Sequence, residues 1–194
     1  VGFFDVLLGR SKPVKPDLDR LFALPNAAIT LEAAAGFVPT GLGSVCFRAA
    51  EGGAFAQIER DVRELLDAGG GPRIETSTDS YGYTWLLVRR EPDQLTDLVT
   101  DLHAINSSLE SAGFGPSLLC SLVGFTGPAG SESAGRSLAL VYLYKRGTFY
   151  PFAPLPAQKR DSALELQVRA AVGADLPVEE DLSRWFPVWG APGL

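Results

Sequence analysis

Histidine, the side chain best suited to moving protons near neutral pH, occurs once in 194 residues, at position 103. A single imidazole excludes every two-histidine metal site and most histidine-based catalysis. His103 stands on the flank of an apolar stripe made by Leu95, Leu98, Val99, Leu102, Ile105 and Leu109. Ser107 as nucleophile and Asp101 as orienter share its helix, but side chains at those offsets on one regular helix do not converge into a triad, so a structural role is expected. Asn106 is the more informative polar position, because it falls inside the stripe. A buried amide needs hydrogen-bond partners. Asn106 is expected to bond a neighbouring strand or loop and fix how its helix sits on a sheet, with ligand contact as the alternative.

Other reactive groups reduce to structural expectations. Glu32, Glu51, Asp79 and the Glu179-Glu180-Asp181 run match neither a glycosidase pair nor a cation-binding loop, and the last reads as the acidic start of a helix. Gly41-Leu42-Gly43 and Gly69-Gly70-Gly71 lack the strand-to-helix setting of a phosphate loop and are expected to be turns. Cys46 and Cys120 have no C-x-x-C spacing and each lies in an apolar run, as expected of buried core thiols in a reducing compartment. No catalytic residue, cofactor-binding residue or metal ligand is assigned, and no cofactor is expected.

Two segments carry residue types suited to recognition instead. At the C-terminal end Trp185, Phe186 and Trp189 stand beside Arg184 and Pro187, the types typical of binding hot spots. Large aromatics also clamp termini onto cores, and the clamp is the favoured reading. At the N-terminal end Phe3, Phe4, Leu7 and Leu8 share one face of a short helix, followed by Arg10, Lys12 and Lys15. Too short to be stable alone, that helix is expected to dock on lipid, on a partner or on its own domain. Pro13 and Pro16 forbid its continuation, so residues 1–16 form an amphipathic segment and linker ahead of a single domain over 17–194.

The net charge of −6 argues against nucleic acid, which calls for a clustered basic surface. Residues 1–16 carry a net +2, leaving −8 on the remainder: a small basic tail precedes an acidic body. No run reaches the roughly 20 apolar residues of a membrane span, and the opening lacks the features of a secretory signal. A cytoplasmic protein is expected, and lipid docking of the N-terminal segment, one of its three alternatives, would add weak peripheral contact at the inner membrane face.

Apolar periodicity supplies the elements that must position these groups. After a helical turn at 17–22, strands are expected at 27–33 and 45–49, separated by a loop over 36–43. A helix follows at 54–68, then a hairpin pairing 73–77 with 83–90. The best-marked helix spans 92–112, with Pro92 in its first turn and Gly113 as its stop. Strands at 118–126 and 137–144 flank a small-residue loop at 127–135 that is expected to be mobile. Pro151 marks 148–152 as an edge strand or marks that strand's end. Helices at 158–172 and 178–185 complete an α+β domain.

Five segments together resemble the actinobacterial PspA-associated family PspAB: residues 2–10 (GFFDVLLGR), 15–25 (KPDLDRLFALP), 51–55 (EGGAF), 79–85 (DSYGYTW) and 102–125 (LHAINSSLESAGFGPSLLCSLVGF). The resemblance implies an accessory role in the phage-shock envelope-stress response beside PspA, a coat-forming membrane-remodelling protein, and it transfers no catalytic residue. A weaker likeness over 81–125 is to YbjN-like domains. It implies the type III secretion chaperone fold, a twisted antiparallel sheet with helices mainly on one face, and by analogy a homodimer. The expected function is that of a non-enzymatic adaptor acting by protein binding. The alternative is a small-molecule-binding protein or an enzyme of unfamiliar type, with a pocket gathering Asn106, Trp85 or Tyr83.

Overall fold

Leu24, Ala27, Ala28 and Leu31 are buried at steps of three and four, while Ile29 is 69% exposed. That pattern belongs to a helix, and Leu24–Ala35 forms one (α1), overturning the strand expected at 27–33. Pro25 opens it, five alanines favour it, and Gly36 closes it in the left-handed region at φ 68°, its N–H bonded to the Glu32 carbonyl. A 3-10 turn, Leu18–Ala23, leads into it. The structure, a computed structural model, describes residues 16–48 and 74–194 together with Ala56, Gln57, Arg60 and Glu64. Those four are helical and exposed, and the rest of the helix expected over 54–68 lies outside the described residues.

Strand β1, Val38–Arg48, is longer than expected, because the presumed loop over 36–43 is mostly strand. Pro39 and Gly41 hid it. They sit where the β1–β4 register shifts, between Pro39 and Gly43, and such an irregularity tolerates a missing N–H. Gly41 is therefore no turn: at φ 77° it brings the chain so near Arg90 that a Cβ would lie 2.1 Å from the Arg90 carbonyl oxygen.

Strands β2 (Ile74–Thr78) and β3 (Tyr83–Arg89) form the expected hairpin. With β4 (Leu118–Thr126), β5 (Ser137–Leu143) and β6 (Thr148–Phe152) they build a six-stranded antiparallel sheet in the order β2-β3-β1-β4-β5-β6. Pro151 does lie on an edge strand. There, the outer side of Phe149 bonds the passing 177–179 segment, whose Glu179 N–H donates to the Phe149 carbonyl at 2.7 Å.

One sheet face receives the three long helices of the described residues: α1, α2 (Leu95–Leu109) and α3 (Ser162–Val172). The α2 stripe is buried as its spacing demands, although the helix starts at Leu95, with Pro92 and Asp93 in the preceding turn. Helix α3 begins four residues later than expected, because Lys159–Arg160 (β8) pairs with Pro154–Leu155 (β7), and Asp161 caps the helix by accepting from the Leu164 N–H at 3.0 Å. The fold is thus α+β with helices on one face. The loop over 127–135, expected to be mobile, is tied to α1 by the Ser133 hydroxyl, which donates to the Gly36 carbonyl at 3.0 Å.

The other face is covered by irregular chain. Residues 176–194 run across it, and the helix expected at 178–185 shrinks to one 3-10 turn, Leu182–Arg184. Trp185 is buried, stacks on Tyr150 at 6.0 Å and donates from Nε1 to the Glu179 carbonyl at 3.0 Å. Trp189 meets Phe152 edge to face at 4.9 Å. Gly124 lets the tail come close, since a Cβ there would lie 2.1 Å from the Gly193 carbonyl oxygen.

Truncating Trp185 removes this clamp and leaves a cavity. Trp185→Ala is expected to lower the unfolding free energy by about 3 kcal/mol, measured by urea denaturation. Phe186→Ala, at a side chain 59% exposed, is expected to change it by less than about 0.5 kcal/mol.

Candidate functional site

Two buried polar side chains, Asn106 and Ser121, meet where α2 lies on the sheet. Asn106 is fully buried, and its Nδ2 donates to the Leu102 carbonyl and to the Ser121 hydroxyl of β4, both at 2.8 Å. Ser121 occupies the centre of the helix-facing row Leu86, Val45, Ser121, Tyr142 and Phe149, so the amide fixes α2 over the middle of the sheet. Its Oδ1 has no partner. Trp85 lies on the opposite sheet face from Asn106, and no single pocket gathers the two.

Charged groups near the core are consumed in pairs. Arg90 holds Asp101 with two bonds of 2.7 and 3.0 Å, tying the end of β3 to α2 and removing Asp101 from His103. Arg160 binds Glu165 through Nε at 2.9 and 3.1 Å, and Glu165 also accepts from the Ala153 N–H. The same guanidinium donates to the Trp185 carbonyl and lies 5.2 Å from the Phe152 ring centre, joining α3 to the tail. Arg136 pairs with Asp161.

Glu179 does not open a helix as its neighbours suggested. It is buried and accepts from Arg146 at 3.1 Å, from Thr148 at 2.8 Å and from the Asp181 N–H at 3.2 Å. Burial works against its ionisation, but the bonds from Arg146, Thr148 and Asp181 outweigh it and hold the carboxyl below the ordinary 4.5. Asp181 alone is the cap, accepting from the Ser183 N–H. Asp79 organises the β2–β3 turn, accepting from the Tyr81 and Tyr83 N–H groups and from Trp85 Nε1 at 2.9 Å.

His103 finds an acid that sequence reasoning missed. Its Nε2 lies 3.2 Å from Asp19 Oδ1, contributed by the turn before α1, and Nδ1 lies 3.5 Å from the Ser107 hydroxyl. A serine, a histidine and an aspartate are therefore in line, yet the order of contacts on the ring is the reverse of a hydrolytic triad and Asp19 is 87% exposed. Such a string in open water lacks the excluded, preorganised surroundings from which nucleophilic catalysis draws its rate. What it does is seat Phe22, whose ring lies 4.8 Å from the imidazole while 47% exposed.

Two shallow depressions of about 280 and 420 Å³ adjoin at Arg136 and Leu164, where the 127–135 loop meets α1 and α3. Neither is lined by His103, Asn106 or Trp85. Among the described residues no group of three His, Cys, Asp or Glu is placed to hold a metal ion, and no helix is long and apolar enough to cross a membrane. Phe3, Phe4, Leu7, Leu8 and Arg10 lie outside the described residues.

A family model described as PspA associated protein B matches residues 1–193. The chain belongs to that family. The match extends over the N-terminal segment, the sheet and the C-terminal tail of this PspA-associated protein alike. No curated protein and no solved structure matches the chain significantly.

Two outcomes follow from these contacts. Asn106→Ala is expected to cost about 2 kcal/mol, since it strands the buried Ser121 hydroxyl and opens a gap beneath α2; chemical denaturation measures it. Because the folded-state value of Glu179 is depressed, its stabilisation is present above about 4.5 and is lost as the pH falls through the lower folded value. Urea midpoints followed from neutral pH to about pH 3 should drop more steeply in the native chain than in Glu179→Gln.

Proposed function

We propose that this chain is a non-enzymatic adaptor of a PspA-linked stress response, acting by binding PspA or a PspA-related protein. The observation that carries the reading is the match, over 193 of 194 residues, to a family described by its association with PspA. The polar groups are compatible with it. Asp101, Glu165 and Glu179 are each held by an arginine that bridges two elements, and the Asn106 Nδ2 is taken up by the Leu102 carbonyl and the Ser121 hydroxyl.

Recognition then falls to exposed apolar side chains. Phe22 on the 3-10 turn and Ile29 on α1 are 47% and 69% exposed, and Leu166 is 49% exposed on the neighbouring α3. Phe22 is backed by His103, so it presents its ring at little entropic cost on binding. This helix face is the docking surface of the proposal, with the basic N-terminal segment adding contact to the partner or to anionic lipid at the inner membrane face.

Immobilised full chain should retain purified PspA. Phe22→Asp together with Ile29→Asp should weaken retention about tenfold or more with unchanged circular dichroism. Deleting residues 1–12 should reduce association with anionic vesicles without unfolding the domain. No retention of PspA by the native chain rejects the reading, and so does substrate turnover that is abolished by changing one polar residue in a folded protein.

A further inference from the structure

One row of side chains crosses the tail-covered face of the sheet: Ser77, Trp85, Cys46, Cys120, Leu143 and Thr148, one from each strand and paired in register. Cys46 and Cys120 therefore stand directly opposite each other on adjacent antiparallel strands, both as free thiols. Directly opposed residues have Cα atoms about 4.5 to 5.5 Å apart, within the roughly 4.4 to 6.8 Å that a disulfide spans. The β1–β4 register slips immediately after the pair, between Cys46 and Phe47, and an irregularity there lets the backbone adjust locally. The thiols are 3% and 8% exposed, in one apolar cluster with Trp85, Tyr150 and Trp185. Cys120 is the more exposed of the two, so a reagent entering from beneath the tail reaches its sulfur first.

We propose that Cys46 and Cys120 are a dithiol oxidation site, which a peroxide converts into an intramolecular disulfide joining β1 to β4 beneath the C-terminal tail. The Cys120 sulfur, as thiolate, attacks one peroxide oxygen and gives up two electrons. The O–O bond breaks, leaving a sulfenic acid on Cys120 and a hydroxide that takes up a proton to become water. The Cys46 sulfur then attacks the sulfenic sulfur and releases its own proton, while the S–O bond breaks and a second water leaves. In sum, two thiols and one hydrogen peroxide give one disulfide and two waters. Because residues 176–194 roof the pair, the rate follows how often that segment lifts.

The test uses the full chain and hydrogen peroxide, followed by denaturation, alkylation of remaining thiols, intact mass and a non-reducing peptide map. Expected are the loss of two hydrogens, a linked peptide containing Cys46 and Cys120, reversal by dithiothreitol, and an unfolding midpoint raised by on the order of 5–10 °C. Trp185→Ala, which loosens the roof, should speed the linkage several-fold. Cys120→Ala should leave Cys46 alkylatable after the same exposure; should that variant not fold, the linked peptide from the native chain decides. Two free thiols after exposure in both the native chain and Trp185→Ala overturn the proposal, as does a linkage found only between chains or a sulfinic acid as the sole product.

Discussion

Strand β1 lies inside the sheet with partners on both edges, and from Gly43 to Phe47 its side chains on both faces are out of water. A strand buried on two faces forces the molecule to supply two covers, because neither face can be left to solvent without losing the burial that stabilises the sheet. The helices provide one cover in the ordinary way, with an amphipathic stripe on each. The second is a tail with almost no regular structure, which must satisfy its backbone and hold its aromatics by other means. That asymmetry explains why so many polar contacts converge on residues 176–194.

Ion pairs fasten each cover to the sheet. Arg90 and Asp101 anchor α2, Arg160 ties α3 to the tail, and Arg146 with Thr148 receives Glu179 beside the edge strand. Buried pairs of this kind add little net stability over apolar packing, but losing one partner is costly, so they specify one arrangement among several compact ones. Asp101, Glu165 and Glu179 are each engaged by an arginine, and the imidazole of His103 backs the ring of Phe22 at the surface.

Much of the architecture was legible from local pattern. Helix α2, the β2–β3 hairpin, β4 and β5 follow from periodicity and turn residues. The error at 27–33 arose because alternate residues Ala27, Ile29 and Leu31 imitate a strand. The deciding signals were Pro25 before the run, Gly36 after it, and an alanine content that favours helix. The long β1 was obscured by Pro39 and Gly41, residues that usually end strands but here occupy a register shift. In the tail, acidic residues resembled a helix start, whereas tertiary contacts claimed Glu179 first.

The sequence by itself determined most of the helix and strand periods, the single imidazole, the net negative charge and the family to which the chain is similar, since all of these depend on residue type and local spacing. Only the tertiary structure decided which distant residues meet: Cys46 with Cys120, Glu179 with Arg146, His103 with Asp19, Asn106 with Ser121. Strand order and register set those encounters, and they are fixed by burial summed over the whole sheet rather than by any pattern within one segment.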